Sequence, residues 1–336
     1  MNFDINTSIA YPLSQNPKQR FTYQRKEYPQ MVNLEEKLAK IYSANRVVLV
    51  NSGMEAITTL LDLVLDNDDT IIINRNLYAE AQLWIKAINR YKVEMFDFVN
   101  GNLGEFDELC KRVKPKLIHF DNPNMRQQFI DAETIIKIAH KNNAKVNVDN
   151  SIVSFINYNP ILFGADFVTE SYSKYICGHN DTMAGALIFK DQPPTKNGVQ
   201  LIDFLEWRGR CVNPIQVYNV ERGLETLKLR LDNITKAAHI VCEELTKNNI
   251  KHFYCGQAGC IIIPQPHPLK VQKALTDTGK FIALSAYGAT FNICTPSRRE
   301  DSYQDFMSYI RLSIGVQENE EAVKNLSKLI IQTLEK

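Results

Sequence analysis

The sequence has no apolar run long enough to cross a bilayer, no paired-cysteine motif and almost no net charge. Its longest apolar runs, such as VVLV and IIIP, fall far short of the roughly 20 residues that a membrane helix needs. The N-terminus, MNFDINTSIAYPLSQ, carries an acid at position 4 and no apolar core of the signal-peptide kind. A cytoplasmic location is therefore expected. Seven cysteines (Cys110, Cys177, Cys211, Cys242, Cys255, Cys260 and Cys294) are odd in number and scattered. The nearest two, Cys255 and Cys260, have four residues between them. Such spacing predicts neither a disulfide framework nor a zinc site, and reduced thiols are expected. Thirty-nine basic residues stand against 38 acidic ones, a formal net charge of +1. That balance offers no electrostatic footprint for nucleic acid.

What is present is an alternation of short apolar runs with helical patterns, in a chain of 336 residues that suits two lobes. NLEEKLAKIY reads as a helix with Asn33 as N-cap and Glu36 completing a capping-box variant. RVVLV (46–50), TIIIN (70–74), PKLIHF (115–120), KVNVD (145–149), DFVTE (166–170) and AGALIF (184–189) read as strands. MEAITTLLDLVL (54–65), YAEAQLWIKAI (78–88) and AETIIKIAHK (132–141) read as helices. Repeated strand–helix units predict an α/β fold with a mainly parallel sheet covered on both faces. After residue 190 comes a loop, DQPPTKNGVQ, then a long helix or broken helix pair over 219–245. Short strands (KHFYC, GCIIIP, IRLSIG) and two helices from about 250 predict a smaller α+β domain. The expected division is an N-terminal segment at 1–45, a large domain at 46–235 and a small domain at 236–336.

In parallel sheets ligands bind at the carboxyl ends of the strands. The residues just past those ends are Asn51-Ser52-Gly53, Asn122, Asp149-Asn150 and Ser171-Tyr172-Ser173-Lys174. A Ser-Gly turn opening a helix is ordinary turn chemistry, yet it also presents N–H groups to an anion. An aspartate at a strand end is a cap or loop acceptor, or the partner of a cationic ring nitrogen. A lysine just after two serines reads first as a surface residue; desolvated, it is a nucleophile for carbonyls. Anion nest, ring-nitrogen acid and amine together describe a site for pyridoxal 5′-phosphate, PLP.

The stretch VDNSIVSFINYNPILFGADFVTESYSKYICGHNDTMAGALIF (148–189) resembles the PLP-lysine region of the Cys/Met-metabolism enzymes, the cystathionine γ-synthase and methionine γ-lyase-like group of fold-type I. YQR (23–25), LEEKLA (34–39), NSGMEAI (51–57), NLY (76–78), NPNMR (122–126), RGLETLKLR (222–230) and RLSIG (311–315) match in the same order. The resemblance implies a fold-type I transferase-like fold. It implies Lys174 as the Schiff-base lysine and proton shuttle, and Asp149 as the pyridinium partner. Gly53 and Met54 would give backbone donors to the phosphate, and Ser171 and Ser173 its hydroxyl ligands. Tyr78 would stack on the ring and help activate the substrate, while Asn122 would bond the ring hydroxyl. Tyr23 and Arg25 match a pair that reaches the phosphate of the neighbouring subunit, which implies a homodimer or homotetramer. Ser285 and Arg311 match the residues that hold the substrate carboxylate, a task suited to a guanidinium fork.

Departures from the family pattern bear on the substrate. Tyr78-Ala79-Glu80 stands where Tyr-Gly-Gly is usual, and Ser285-Ala286-Tyr287-Gly288 where Ser-Leu-Gly-Gly is usual. Leu284 occupies the position of a glutamate that, in cystathionine enzymes, recognises the distal ammonium; Tyr287 would narrow the pocket further. The expected activity is γ-elimination or γ-replacement on an amino acid with a leaving group at Cγ, homoserine-ester or methionine-like, in a specialised biosynthetic role. β-Elimination from a cysteine- or cystathionine-like substrate, or a catalytically retired scaffold, are the alternatives.

Overall fold

The computed structural model describes residues 20–297 and 308–335. Helix α1 (Pro29–Tyr42) leads into strand β1 (Arg46–Val50), and α2 (Gly53–Val64), β2 (Thr70–Asn74) and α3 (Ala79–Ile88) follow. Next come β3 (Lys92–Phe96), α4 (Leu103–Val113), β4 (Leu117–Asp121), α5 (Ala132–Lys141) and β5 (Lys145–Asp149). A short α6 (Ser154–Asn157) precedes β6 (Phe167–Ser171) and β7 (Gly185–Phe189). These seven strands form one sheet in the order β1-β7-β6-β5-β4-β2-β3, parallel except for β7, which runs against both neighbours.

The sheet is buried because period-2 alternation sends an apolar residue to each face in turn. Val47, Leu49, Ile72, Ile118, Val146 and Val148 pack with α1, α4 and α5. Val48, Val50, Ile71, Ile73, Leu117 and Leu187 pack with α2 and α3 on the other face. After α7 (Leu201–Trp207), the 34-residue α8 (Pro214–Lys247) runs unbroken behind a capping box at Asn213. Its second half packs on a separate four-stranded sheet, order β8-β11-β10-β9, made of β8 (Cys260–Pro264), β9 (Ile282–Ala283), β10 (Ile293–Pro296) and β11 (Tyr309–Ser313). With α9 (Pro268–Asp277) and α10 (Glu320–Leu334), that sheet encloses its own core, whose members begin at Ala237.

Three expectations change. Asn33 lies inside α1, which starts four residues earlier with Pro29 in its first turn and Tyr28 as N-cap. Proline fits there because its missing N–H has no helical partner at that position anyway. KHFYC yields a single bridge, Phe253 to Ile262, rather than a strand. Strand β3 and the short β9 and β10 were not read from the sequence. All seven cysteines are free. Among the described residues no helix is long and apolar enough to cross a membrane. The first 19 residues, part of the expected N-terminal segment, lie outside the described residues.

Candidate active site

The carboxyl ends of β1, β4, β5 and β6 open onto a cavity of about 1250 Å³, closed from the other side by the C-terminal sheet. Lys174 enters it from the turn after β6 and Arg311 from β11. Burial, and then the nearby Arg311 guanidinium, hold the Lys174 ammonium below its ordinary pKa. Both cations face one ring: Lys174 Nζ lies 4.8 Å and the Arg311 guanidinium carbon 5.2 Å from the centre of half-buried Tyr287. Arg311 is steadied by Ala286 O at 3.2 Å and Thr295 Oγ1 at 3.3 Å, while its buried Nε has no hydrogen-bond partner among the described residues. Ser285 shares the wall. A guanidinium with donors to spare at the end of a cavity is suited to a carboxylate.

Asp149, at the end of β5, accepts from Ser151 N at 3.0 Å and from Thr169 Oγ1 at 3.0 Å. Asp121 pairs with it in register at the end of β4. Both carboxyls are pushed up by burial, Asp121 also by the charge of Asp149. Two adjacent buried carboxyls do not both ionise readily. Asp149 has two donors at its oxygens, so it is the ionised member, and Asp121 carries the proton. Asp121 Oδ2 accepts from Tyr78 N at 2.7 Å, so this acid fixes the start of α3 where Tyr78 turns into the cavity.

The wall beside β6 is an anion cradle. Ser52 caps α2 by accepting from Glu55 N at 3.1 Å, leaving the N–H groups of Gly53 and Met54 at the helix entrance. A Cβ on Gly53 would meet Ser171 Cβ at 2.8 Å and Cα at 3.2 Å. Only glycine lets α2 sit that close to β6. Gly185, at the start of β7, is held to glycine in the same way, because a Cβ there would strike Ser52 O at 2.3 Å. Ser171 and Ser173 line the cavity next to Lys174, and Ser173 Oγ also accepts from Ala184 N at 2.9 Å. Anion cradle, buried acid pair and low-pKa amine fit the phosphate, ring nitrogen and carbonyl carbon of PLP.

Of the residues singled out in the sequence, Gly53, Met54, Tyr78, Asp149, Ser171, Ser173, Lys174, Ser285 and Arg311 share this cavity. Asn122 does not. Its side chain is spent on Ile130, donating to the carbonyl at 3.2 Å and accepting from the N–H at 2.8 Å, and it lies outside the lining. The cavity-facing residues of that loop are Asp121, Met125 and Arg126. Tyr23 and Arg25 also lie outside the cavity of their own chain; the guanidinium of Arg25 sits 5.2 Å over the Tyr23 ring and 4.0 Å from Glu206. Glu80 is exposed at the cavity wall, whereas Leu284 does not line it. Asp121 and Thr169 were missed. For Asp121 the signal was available: LIHFD and KVNVD carry the same alternation, ending in an aspartate on the same face.

A model of the family described as Cys/Met metabolism PLP-dependent enzyme matches residues 2–257. Cystathionine beta-lyase of Neurospora crassa is 26% identical over 95% of this chain and 75% of its own length. An L-methionine gamma-lyase of Fusobacterium nucleatum subsp. polymorphum is 29% identical over 68% of this chain and only 58% of its own. Among solved structures, cystathionine gamma synthase of Xanthomonas oryzae pv. oryzae superposes with a TM-score of 0.86 at 22% identity, covering 99% of this chain and 92% of that one. A methionine gamma lyase from Micromonospora echinospora gives 0.87 at 21%, covering 98% and 93%. At those identities the structural likeness carries the fold.

Proposed function

The chain belongs to the Cys/Met metabolism PLP-dependent enzyme family, and from that premise we propose that it catalyses γ-elimination or γ-replacement on an amino acid with a leaving group at Cγ. The substrate would be a homoserine ester or a methionine-like thioether. The supporting observation is one cavity that holds a low-pKa Lys174 amine and an Arg311 guanidinium with a donor unused among the described residues. When bound, PLP supplies an electron sink for the charge left as the Cα proton departs.

The chain's own groups would divide the work as follows. Gly53 and Met54 N–H with the Ser171 and Ser173 hydroxyls would hold the phosphate. Asp149 would keep the ring nitrogen protonated, and Tyr78 would cover the ring. Arg311 and Ser285 would take the substrate carboxylate, which orients the Cα–H bond toward Lys174. Lys174, held below its usual pKa by burial and Arg311, would take that proton as a neutral amine. It would then exchange a proton at the neighbouring carbon, the step that separates γ from β chemistry. Tyr23 and Arg25 would complete the phosphate site of a second subunit in a homodimer or homotetramer.

β-Elimination from a cysteine- or cystathionine-like substrate is the second reading, favoured by the similarity to the Neurospora crassa protein named as a cystathionine beta-lyase. Product analysis separates the two. O-Acetylhomoserine and methionine should release 2-oxobutanoate, or consume an added thiol without releasing ammonia. Pyruvate from cysteine or cystathionine as the main product would select the β reading. Neither product from folded, cofactor-loaded protein would remove both.

A further inference from the structure

Behind the cavity, one face of three neighbouring strands carries polar residues where apolar ones are expected. His119 on β4 stands in register with Asn147 on β5, and Thr169 on β6 with Asp149 on β5. His119, Asn147 and Thr169 are completely buried. Asn147 Nδ2 lies 2.8 Å from His119 Nδ1 and 3.2 Å from Thr169 Oγ1, and Thr169 Oγ1 lies 3.0 Å from Asp149 Oδ2.

The directions of these bonds follow from one end. An ionised Asp149 only accepts, so the Thr169 hydroxyl must donate to it. That hydroxyl has one hydrogen, so its contact with Asn147 must be one it accepts, which puts the amide nitrogen of Asn147 toward it. The second amide hydrogen then goes to His119 Nδ1, and the histidine carries its proton on Nε2. Burial keeps His119 neutral, with its pKa pushed down to about 4, as this arrangement requires. Each group is left with no choice of role.

The network is also incomplete. His119 Nε2 and Asn147 Oδ1 are buried with no hydrogen-bond partner among the described residues. A buried donor and acceptor left unpaired weaken the fold. Apolar residues at the same positions would continue the alternation that fills the rest of this face with Leu117 and Ile71. Stability therefore does not account for the row.

We propose that Thr169, its hydroxyl oriented by Asn147 and backed by His119, is a positioning residue that holds Asp149 as an ionised acceptor for the cofactor ring nitrogen. The inference rests on the reading of Asp149 as that partner. Thr169 touches neither substrate nor cofactor, and its effect runs through one carboxylate oxygen. Its loss therefore lowers cofactor affinity and kcat, while KM for the amino acid stays near the wild-type value.

The experiment compares Thr169→Val, which keeps the shape and removes the donor, with Thr169→Ser, which keeps the donor, and with Asp149→Asn. For each, the PLP dissociation constant is titrated by the visible absorption of the bound cofactor, and apo-protein melting is recorded alongside. Thr169→Val should weaken PLP binding by about tenfold or more, as for a lost hydrogen bond to a charged group. Thr169→Ser should stay within about threefold of wild type, its apo-protein melting as wild type does, while apo-Thr169→Val melts somewhat lower but as a single folded transition. Should Thr169→Val not fold, Thr169→Ala takes its place against Thr169→Ser. Wild-type affinity in the variants lacking the hydroxyl overturns the inference, as does a Thr169→Ser variant as weak as they are. If Asp149→Asn itself binds PLP normally, the reading of Asp149 fails first, and the two failures are told apart.

Discussion

At the scale of single residues, the cavity is organised by charges that are disfavoured where they stand. Lys174 and Arg311 both lie against the Tyr287 ring, which offers each cation a favourable face. Asp121 and Asp149 share one burial penalty, which leaves one of them protonated. Perturbed groups collect where chemistry is done, yet Glu170 shows that a perturbed group need not be catalytic. It is fully buried on β6, accepts from Tyr42 Oη, and Tyr42 Oη accepts from Tyr172 Oη at 3.2 Å. Burial, opposed by the Tyr42 bond and assisted by the charge of Asp149, pushes its pKa up to about 8. The folded protein thus binds this proton more tightly than the unfolded chain, where a glutamate titrates near 4.3. The stabilisation is complete below that value and is lost as pH rises through about 8. Thermal melts at pH 6 and pH 9 should differ by about 5 °C, the higher pH melting first. Glu170→Gln, which keeps an acceptor for Tyr42 but cannot ionise, should remove most of that difference. An unchanged pH dependence in the variant would show that other groups carry it.

At the scale of elements, legibility followed the strength of the pattern. α5 and the strands of LIHFD and KVNVD were readable because several consecutive residues obeyed one period. β3 was not: KVEMF sits at the sheet edge with Val93 and Met95 exposed, so its alternation marks no buried face. β9 and β10 span two and four residues, too short for any period. The site residues divide in the same way. Those past strand ends were read by position, and one of them, Asn122, lies outside the cavity, its amide closing a local turn onto Ile130. Asp121, one residue earlier, closes β4, but the strand was read as ending at Phe120, so Asp121 was passed over between that end and Asn122. The α2 entrance supplies the test at this scale. Gly53 occupies the first turn of a helix with no positive φ, so alanine suits its backbone, and only the 2.8 Å approach to Ser171 Cβ forbids it. Gly53→Ala should push α2 off β6 and weaken PLP binding by about tenfold or more, roughly 1.4 kcal/mol. Fluorescence or absorbance titration measures this. An alanine variant with wild-type affinity would mean that the phosphate does not rest on this turn.

At the scale of the molecule, the cavity is assembled from two cores joined by one helix. α8 contributes Leu227 and Leu231 to the core of the large sheet and Ala237 to Leu245 to that of the small one, so it fixes the distance between Lys174 and Arg311. Tyr23 and Arg25 belong to neither wall of that cavity, although the resemblance assigns them to a phosphate. The two facts agree if the pair serves the cavity of a second copy. Complementation decides it. Lys174→Ala lacks the amine and Arg25→Ala lacks the proposed phosphate cation, so each alone should be close to inactive at limiting PLP. Co-expressed in equal amounts with different tags, the two chains pair at random, and half of the dimers are mixed. If Arg25 reaches across, each mixed dimer has one site with the lysine of one chain and the arginine of the other. About a quarter of wild-type sites should then be active. If Arg25 serves its own chain, every site in the mixed dimer lacks one of the two groups, and no activity returns. The purified doubly tagged species, assayed beside both parent homodimers, gives the answer directly: restoration requires a shared site, and its absence returns Arg25 to its own subunit.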